Sequence, residues 1–415
     1  MNIWKLSIKN IKSKPLYTFL SVFVLALSVF LLLAVRQLES SLAFQIKNNL
    51  GAIDLVIGAK GSPLQLVLSS VLFLDNPTGN IPYAEAKKIS KSPFVKTAVP
   101  ISYGDNYKGY KIVGTTDKFA TLYDAKLKEG RNVEKSMEVI VGATVAKQLD
   151  LKLGDTFQSS HGLIENGIDV HDEHMIIVGI YKTTNKVIDR LIVSNLESVW
   201  DIHHHDSHEI NDEHHGHDEH HEHHEKEIEE EALSREVTSV LISFRNPSAF
   251  ITFPKQINST TNMQAALPKY ELDKLYQYTG IGFKTVSWIA YIILIISCLT
   301  IFISLYKMVK ERSFELALLR TYGASNFQLI RMVAYEGISI GVFAFLLGYA
   351  LLRMGIFIMF TFFETDFDQY ILQQIPYTEL LKIGGGVLVM IIFSVLFAIY
   401  PIIKMNISTT LSNEK

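Results

Sequence analysis

ERSFELALLRTYGAS, residues 311–325, lies between two long apolar segments of a 415-residue chain. The stretch is amphipathic at helical spacing, because Glu311 and Glu315 are four residues apart and share one face. Gly323 supplies a stop signal, since glycine readily adopts the left-handed conformation that ends many helices. A second helix is expected to begin at residues 325–326. The stretch therefore predicts a helix, a glycine turn and another helix between two membrane spans.

Four apolar segments are long enough to cross the hydrocarbon core of a membrane, which takes roughly 20 residues as a helix. The positions of these spans predict how the chain divides into membrane and non-membrane segments. The segments are residues 1–15 (an amphipathic helix), 16–38 (the first span), 39–282 (an extracytoplasmic domain with stalk helices), 283–306 (the second span), 307–331 (a coupling loop), 332–357 (the third span), 358–379 (an extracytoplasmic loop), 380–403 (the fourth span) and 404–415 (a tail).

Positive charge predicts the orientation of these spans. Four lysines precede the first span, and five lysines or arginines lie in the 307–331 loop, whereas the 358–379 loop is acidic. Basic residues in short loops favour the cytoplasmic side. Both termini and the 307–331 loop are therefore expected in the cytoplasm, and the 39–282 domain outside it.

The outer domain carries signals for both strands and helices. Short β-branched or aromatic runs predict the strands 110–113, 139–141, 175–180, 191–193 and 237–244. Helical patterns lie at 83–91 and 142–150, so a compact α+β domain is expected. The sequence contains no phosphate-loop motif and no spaced nucleophile or carboxylate constellation. No catalytic residues are predicted, and the net charge of −3 does not favour nucleic acid as a partner.

Two groups of residues resemble a known family. The 311–325 stretch, with Glu336 and Gly348, resembles the signature loop of FtsX-like permeases, the MacB and LolC/LolE (type VII) kind of ABC transporter subunit. The outer-domain sequences at 130–131, 138–142, 151–155 and 177–180 resemble the MacB-like periplasmic core. The resemblance implies four transmembrane α-helices, with a large α+β extracytoplasmic domain between the first and second.

The resemblance also implies how such a chain works. It is expected to be a non-catalytic, multi-pass subunit in a bacterial inner membrane, among membrane lipids. A separate ABC ATPase subunit would hydrolyse ATP, and a second copy or a paralogous permease would complete a dimer. The loop would be the coupling helix that docks on the ATPase. Its implied coupling residues are Glu311, Arg312, Glu315, Leu319, Arg320 and Gly323.

A histidine-rich segment interrupts the outer domain. Residues 203–231 are dominated by histidine and acidic residues, have few apolar ones, and are expected to be a disordered insertion. Imidazole and carboxylate ligands suit zinc, nickel or copper, and the absence of thiols from the segment makes zinc the first choice. The candidate ligands are His203, His204, His205, His208, His214, His215, His217, His220, His221, His223 and His224, with His161, His171 and His174 as weaker candidates. No intrinsic cofactor is predicted.

Three functions fit these features. The first is transport of zinc or another divalent metal, with an extracytoplasmic metal-binding protein as a further partner. The second is extraction of lipids or lipoproteins, or export of drugs or haem of the MacB type, with the histidines incidental. The third is mechanical signalling across the membrane to an extracytoplasmic partner.

Overall fold

The computed structural model describes residues 15–161, 170–208, 235–362 and 375–404. They form two compact units. One comprises Ala43–Gln277, and the other comprises the described residues of Met1–Leu42 and Tyr278–Lys415. The predicted amphipathic helix at the N-terminus and the C-terminal tail lie outside the described residues, apart from Pro15 and Lys404.

The described helices range from one turn to more than ten. They are α1 (Pro15–Asn49), α2 (Pro63–Ser70), α3 (Tyr83–Ser90), α4 (Lys118–Leu122), α5 (Ala143–Gln148), α6 (Leu196–His208), α7 (Ala249–Thr260), α8 (Pro268–Glu311), α9 (Ser313–Thr321), α10 (Asn326–Phe362) and α11 (Tyr377–Lys404). Four of these described helices, α1, α8, α10 and α11, are long and apolar enough to cross a membrane. The helical form satisfies their backbone polar groups internally, as lipid requires. This confirms the predicted set of four apolar helices.

Glycines allow the long helices to approach one another closely. A Cβ atom on Gly341 of α10 would overlap Cδ1 of Ile391 on α11. On Gly348 it would lie 2.7 Å from the carbonyl oxygen of Ala26 on α1. Such contacts are typical of membrane helices, which associate through small residues. Glycine therefore sets the spacing of α10 from both neighbours.

The strands form three sheets. They are β1 (Leu55–Ala59), β2 (Ile81–Pro82), β3 (Val95–Ile101), β4 (Asp105–Tyr107), β5 (Tyr110–Thr115), β6 (Leu127–Gly130), β7 (Glu138–Val141), β8 (Thr156–His161), β9 (Val170–Tyr181), β10 (Ile192–Asn195), β11 (Glu236–Val237), β12 (Ser239–Phe244) and β13 (Met263–Ala266). Four of the five predicted strands and both predicted helices are present, and the fifth predicted strand, 237–244, is divided between β11 and β12. These elements confirm the α+β outer domain.

The two larger sheets have different topologies. The antiparallel sheet has the order β13-β1-β12-β3, and the mixed sheet has the order β6-β9-β7-β10-β5-β4-β8. The long strand β9 also pairs with β8, so six strands of the mixed sheet close into a ring. A closed ring removes unpaired edges. The third sheet is the short pair β11-β2.

One prediction for the histidine-rich segment is corrected by the structure. Residues 203–208 were expected to be disordered, but they form the last part of α6. This helix begins in the folded domain, where Leu196 and Trp200 are buried. Extending a helix that has already nucleated costs little free energy, so polar residues can continue it. Residues 209–231 lie outside the described residues.

Candidate functional site

A break in the helix at Arg312 separates α8 from α9. Arg312 has φ −104° and ψ 15°, outside the helical range. Its amide nevertheless donates to the carbonyl of Met308 at 3.2 Å, and its carbonyl accepts from the amide of Leu316 at 2.9 Å. The break changes the backbone conformation while both hydrogen bonds are kept. The sequence predicts one continuous helix from residue 311 to the Gly323 turn, so its division at Arg312 is a correction.

The end of α9 is a glycine turn, as the sequence predicts. Gly323 has φ +97°, and a Cβ atom there would meet nothing within 4 Å. Conformation rather than space therefore requires glycine. The amide of Ala324 donates to the carbonyl of Leu319 at 3.0 Å. Ser325 then caps the N-terminus of α10. Its hydroxyl accepts from the Gln328 amide at 3.3 Å, and the Gln328 side chain accepts from the Ser325 amide at 3.0 Å.

The inner face of α9 packs on the membrane helices. Leu316 and Ala317 are fully buried, and Leu319 is half-buried against the same apolar cluster. That cluster includes Leu329 and Met332 of α10. Burying apolar side chains in this way anchors the short helix to the bundle.

The outer face of the same region is apolar and uncovered. Leu318, Tyr322 and Phe327 are 41%, 81% and 71% exposed. We call these three residues the docking face. Leu318 and Tyr322 are four residues apart and therefore share one side of the turn. Exposed apolar groups that cluster on a defined surface mark interaction sites.

Ion pairs surround the break. The Nε atom of Arg312 lies 2.8 Å from Oε2 of Glu315, and its Nη1 atom lies 3.9 Å from Oε1 of Glu336. Lys307 and Glu311 pair at 3.9 Å on the last turn of α8. Arg312 therefore contacts carboxylates on both α9 and α10.

The six predicted coupling residues thus differ in position. Glu311, Glu315 and Gly323 are exposed, whereas Arg312, Leu319 and Arg320 are partly buried. Sequence reasoning missed the docking face. Its apolar residues were visible, but amphipathic spacing alone does not say which apolar side of a short helix packs inwards. Whether any of these residues contacts an ATPase stays a prediction.

The candidate metal ligands are distributed over several elements. His161 ends β8 and pairs with Asp105 of β4, whereas His171 and His174 lie on β9. His203, His204, His205 and His208 lie on α6. The other seven histidines of the segment lie outside the described residues. Within the described ranges, no group of three or more His, Cys, Asp or Glu residues is arranged to hold a metal ion. Metal binding by the segment stays a prediction.

The outer-domain motif at 130–138 has a structural role. Arg131 donates two hydrogen bonds to the Glu138 carboxylate, at 2.7 and 2.5 Å. The amides of Glu134 and Lys135 donate to the same carboxylate at 2.9 and 3.2 Å. The Arg131 guanidinium, with these amides, lowers the pKa of Glu138 to about 2. The motif closes the loop that precedes β7.

Comparisons with known proteins agree with this architecture. The family model of the FtsX-like permease C-terminal region matches residues 287–407, and that of the MacB-like periplasmic core domain matches residues 18–215. Together they cover more than half of the chain. No curated protein matches significantly.

Two solved structures are similar to part of the chain. The periplasmic region of MacB from Actinobacillus actinomycetemcomitans is 11% identical, with 55% of this chain and 97% of that chain covered and a TM-score of 0.33. The extracellular domain of the noncanonic ABC-type transporter YknZ from Gram-positive bacteria is 9% identical, with 51% and 98% covered and a TM-score of 0.29. By the two family matches, the chain is a membrane protein that belongs to the FtsX-like permeases with a MacB-like periplasmic core domain.

Proposed function

We propose that this chain is the permease subunit of an ABC transporter and that a separate ATPase binds its docking face. Permeases of this family are in general non-catalytic subunits that work with an ABC ATPase. The observation that carries the proposal is the two-sided packing of α9. Its inner face is buried in the bundle while Leu318 and Tyr322 remain uncovered. A partner that binds this surface would act on a helix already attached to the membrane spans.

The chemistry of the docking face suits a protein partner. Tyrosine and phenylalanine supply large apolar area with few rotatable bonds, which makes aromatic residues frequent anchors of interfaces. Glu315 is exposed beside them and provides a charged rim. This arrangement favours an ATPase with a hydrophobic groove over a purely electrostatic contact.

We place the chain in the inner membrane, with both termini and α9 in the cytoplasm. The basic residues of the 307–331 segment support this orientation, since they favour retention on the cytoplasmic side. ATP is available on that side. A second copy or a paralogous permease completes the proposed dimer, and the exposed apolar side of α8, with Ile295, Leu299 and Ile303, is available to lipid or to that subunit.

The membrane helices are better suited to transmitting movement than to conducting ions. Among the described residues of the four spans, Glu336 is the one buried acidic side chain. Ion and proton pathways in membranes are marked by several ionisable residues that face a cavity. The proposed action is therefore that ATPase movements reach the outer domain through the helices. Signalling to an extracytoplasmic partner remains an alternative outcome of the same relay.

Reconstitution tests the ATPase proposal. The full chain would be purified from its native membrane, its ATPase identified by mass spectrometry, and the pair rebuilt in lipid nanodiscs. Changing Leu318→Asp or Tyr322→Asp is expected to weaken ATPase binding by about 100-fold, because charge replaces a desolvated anchor. Ile251→Asp is the matched control, since Ile251 is 80% exposed in the outer domain. Equal affinity in all variants would contradict the proposal.

For the substrate we propose a divalent metal, with zinc first, captured by the segment 203–224. Its composition supports the proposal, since imidazole and carboxylate are ligands for zinc, nickel and copper. Lipid, lipoprotein, drug or haem handling is the competing class, in which the segment has no metal role. An extracytoplasmic metal-binding protein would be a further partner in the first case.

Calorimetry separates these substrate classes. The full chain and a variant lacking 203–224 would be titrated with zinc in detergent at about pH 7.5, where imidazole is neutral and able to bind. Several zinc ions bound by the full chain, with most of them lost in the deletion, would support metal handling. No binding by either protein would favour the competing class. Binding should also fade below about pH 6, as imidazole becomes protonated.

A further inference from the structure

We propose that Glu336 is a positioning residue that fixes the orientation of α9 through Arg312. The inference rests on the proposed function, because the orientation matters for the docking face. It goes beyond that function by assigning a role to a buried membrane carboxylate that does not itself touch the ATPase. The pair is called the Arg312–Glu336 latch below.

The surroundings of Glu336 favour a cationic partner. Its side chain is 1% exposed, and its neighbours one turn away, Val333 and Ile340, are buried apolar residues. Gly337 follows it directly, and a Cβ atom there would lie 2.5 Å from Cγ2 of Val395, so α11 packs tightly at this level. A carboxylate in such a place is costly unless it is paired.

Arg312 can connect three helices at once. It lies in the chain between α8 and α9, its Nε atom contacts Glu315 of α9 at 2.8 Å, and its Nη1 atom faces Glu336 of α10 at 3.9 Å. The guanidinium is planar and keeps its charge, so its nitrogens can bind two carboxylates in a fixed geometry. The side chain of Arg312 is 18% exposed, which limits the competition from water.

The break makes this contact important for orientation. The N-terminus of α9 has no side-chain cap among the described residues. The start of α9 is therefore held by backbone hydrogen bonds, by the packing of Leu316 and Ala317, and by the latch. Packing keeps α9 on the bundle, whereas the latch fixes its rotation against α10. Force on the docking face would then reach α10 through Arg312 as well as through the Gly323 turn.

Hydrogen exchange of the full chain in nanodiscs tests the latch without any ATPase. Glu336→Gln is expected to speed exchange of the α9 amides by about tenfold. Arg312→Gln should speed it at least as much, because it also removes the contact with Glu315, and the double variant should not exceed Arg312→Gln, because the contact with Glu336 is already lost there. Arg312→Lys keeps the positive charge and should restore part of the protection. Lys382→Gln, which removes an exposed ion pair with Glu379 on α11, is the control and should leave α9 unchanged.

Two outcomes overturn the latch. Unchanged α9 exchange in both single variants is the first, and additive effects in the double variant are the second. If Glu336→Gln does not fold, Arg312→Gln and Arg312→Lys report on the same contact from its more exposed side.

A second readout distinguishes the latch from the docking proposal. Glu336→Gln should bind the identified ATPase within about twofold of the wild-type affinity, since Glu336 is buried and lies outside the docking face, while the coupling of ATPase activity to the permease falls. Docking-face variants should lose affinity instead. If docking-face variants bind normally, the proposed function fails. If docking-face variants lose affinity but the latch variants leave α9 exchange unchanged, only the latch proposal fails.

Discussion

Arg131 and Glu138 form a two-pronged ion pair in the outer domain, with hydrogen bonds of 2.7 and 2.5 Å. Glu138 is buried, and two backbone amides complete its coordination. The pair closes the loop that leads into β7, a central strand of the mixed sheet. Removing the pair should therefore lower the stability of the whole outer domain.

Glu138→Gln should lower the free energy of unfolding of the outer domain by about 2 kcal/mol near pH 7, because charge-assisted hydrogen bonds are lost. Unfolding can be followed by the fluorescence of Trp200 after Trp4→Phe and Trp288→Phe. Asp124→Asn is the control, since Asp124 pairs with Lys186 on the surface. An equal effect of both changes would contradict the role given to Glu138.

The same pair predicts an acid dependence. The pKa of Glu138 is about 2 in the folded protein, below its ordinary value of 4.5. A carboxyl whose pKa is lowered by folding stabilises the protein above its unfolded pKa, and this contribution is lost as pH falls through the folded pKa. The difference in free energy of unfolding between wild type and Glu138→Gln should therefore disappear as the pH falls from about 4.5 to about 2. A difference that increased as the pH fell over this range would contradict the role given to Glu138.

Gly323→Ala should strain the turn after α9, because φ is +97° there and space is not limiting. The local cost is about 1 kcal/mol. Hydrogen exchange at the amides of Gly323 and Ala324 should accelerate. Gly355→Ala is the matched control, since its Cβ would also meet open space but its φ is not positive. Similar exchange in both variants would show that the turn tolerates a side chain.

Gly341→Ala should destabilise the helix pair α10 and α11, because its methyl group would overlap Ile391. Overpacking of this kind costs about 1–3 kcal/mol, measurable as a lower melting temperature in detergent. Ile391→Ala in the same chain should recover part of the loss, since it removes the clashing atoms. Absence of any recovery would mean that the two residues are not coupled.

Cysteine labelling tests the proposed orientation. Cys298 is the chain's single cysteine, and its Sγ lies 2.9 Å from Oγ of Ser394, so Cys298→Ser is a mild background change. In intact cells, a membrane-impermeant maleimide should label a cysteine at exposed position 251 but not one at exposed position 322. Both should react in opened membranes. The reverse pattern in intact cells would show that the chain has the opposite orientation in the membrane.

Much of the fold could be predicted because its signals are local. Apolar length identified the four spans, and β-branched runs identified strands such as β5 and β12. Gly323 identified a turn because glycine adopts a positive φ more readily than any other residue type. These features depend on neighbours in sequence, so no distant contact was needed to find them.

The missing features depend on distant contacts. The contact between Arg312 and Glu336 could not be predicted, because the two residues are 24 positions apart in the chain and lie in different elements. The ring closure by β8 and β9 depends on a strand long enough to pair on two sides. The docking face became identifiable only when Leu316 and Ala317 proved to be the buried side of α9.

Photocrosslinking from position 322 in native membranes tests whether α9 docks on an ATPase. Tyr322 would be replaced by a benzophenone amino acid, with position 251 as the matched exposed control. We expect an adduct with a protein that carries an ABC ATPase phosphate loop, formed from position 322 and not from position 251. Adducts with lipid alone, or the same adducts from both positions, would contradict the assignment of α9 as the ATPase-docking helix.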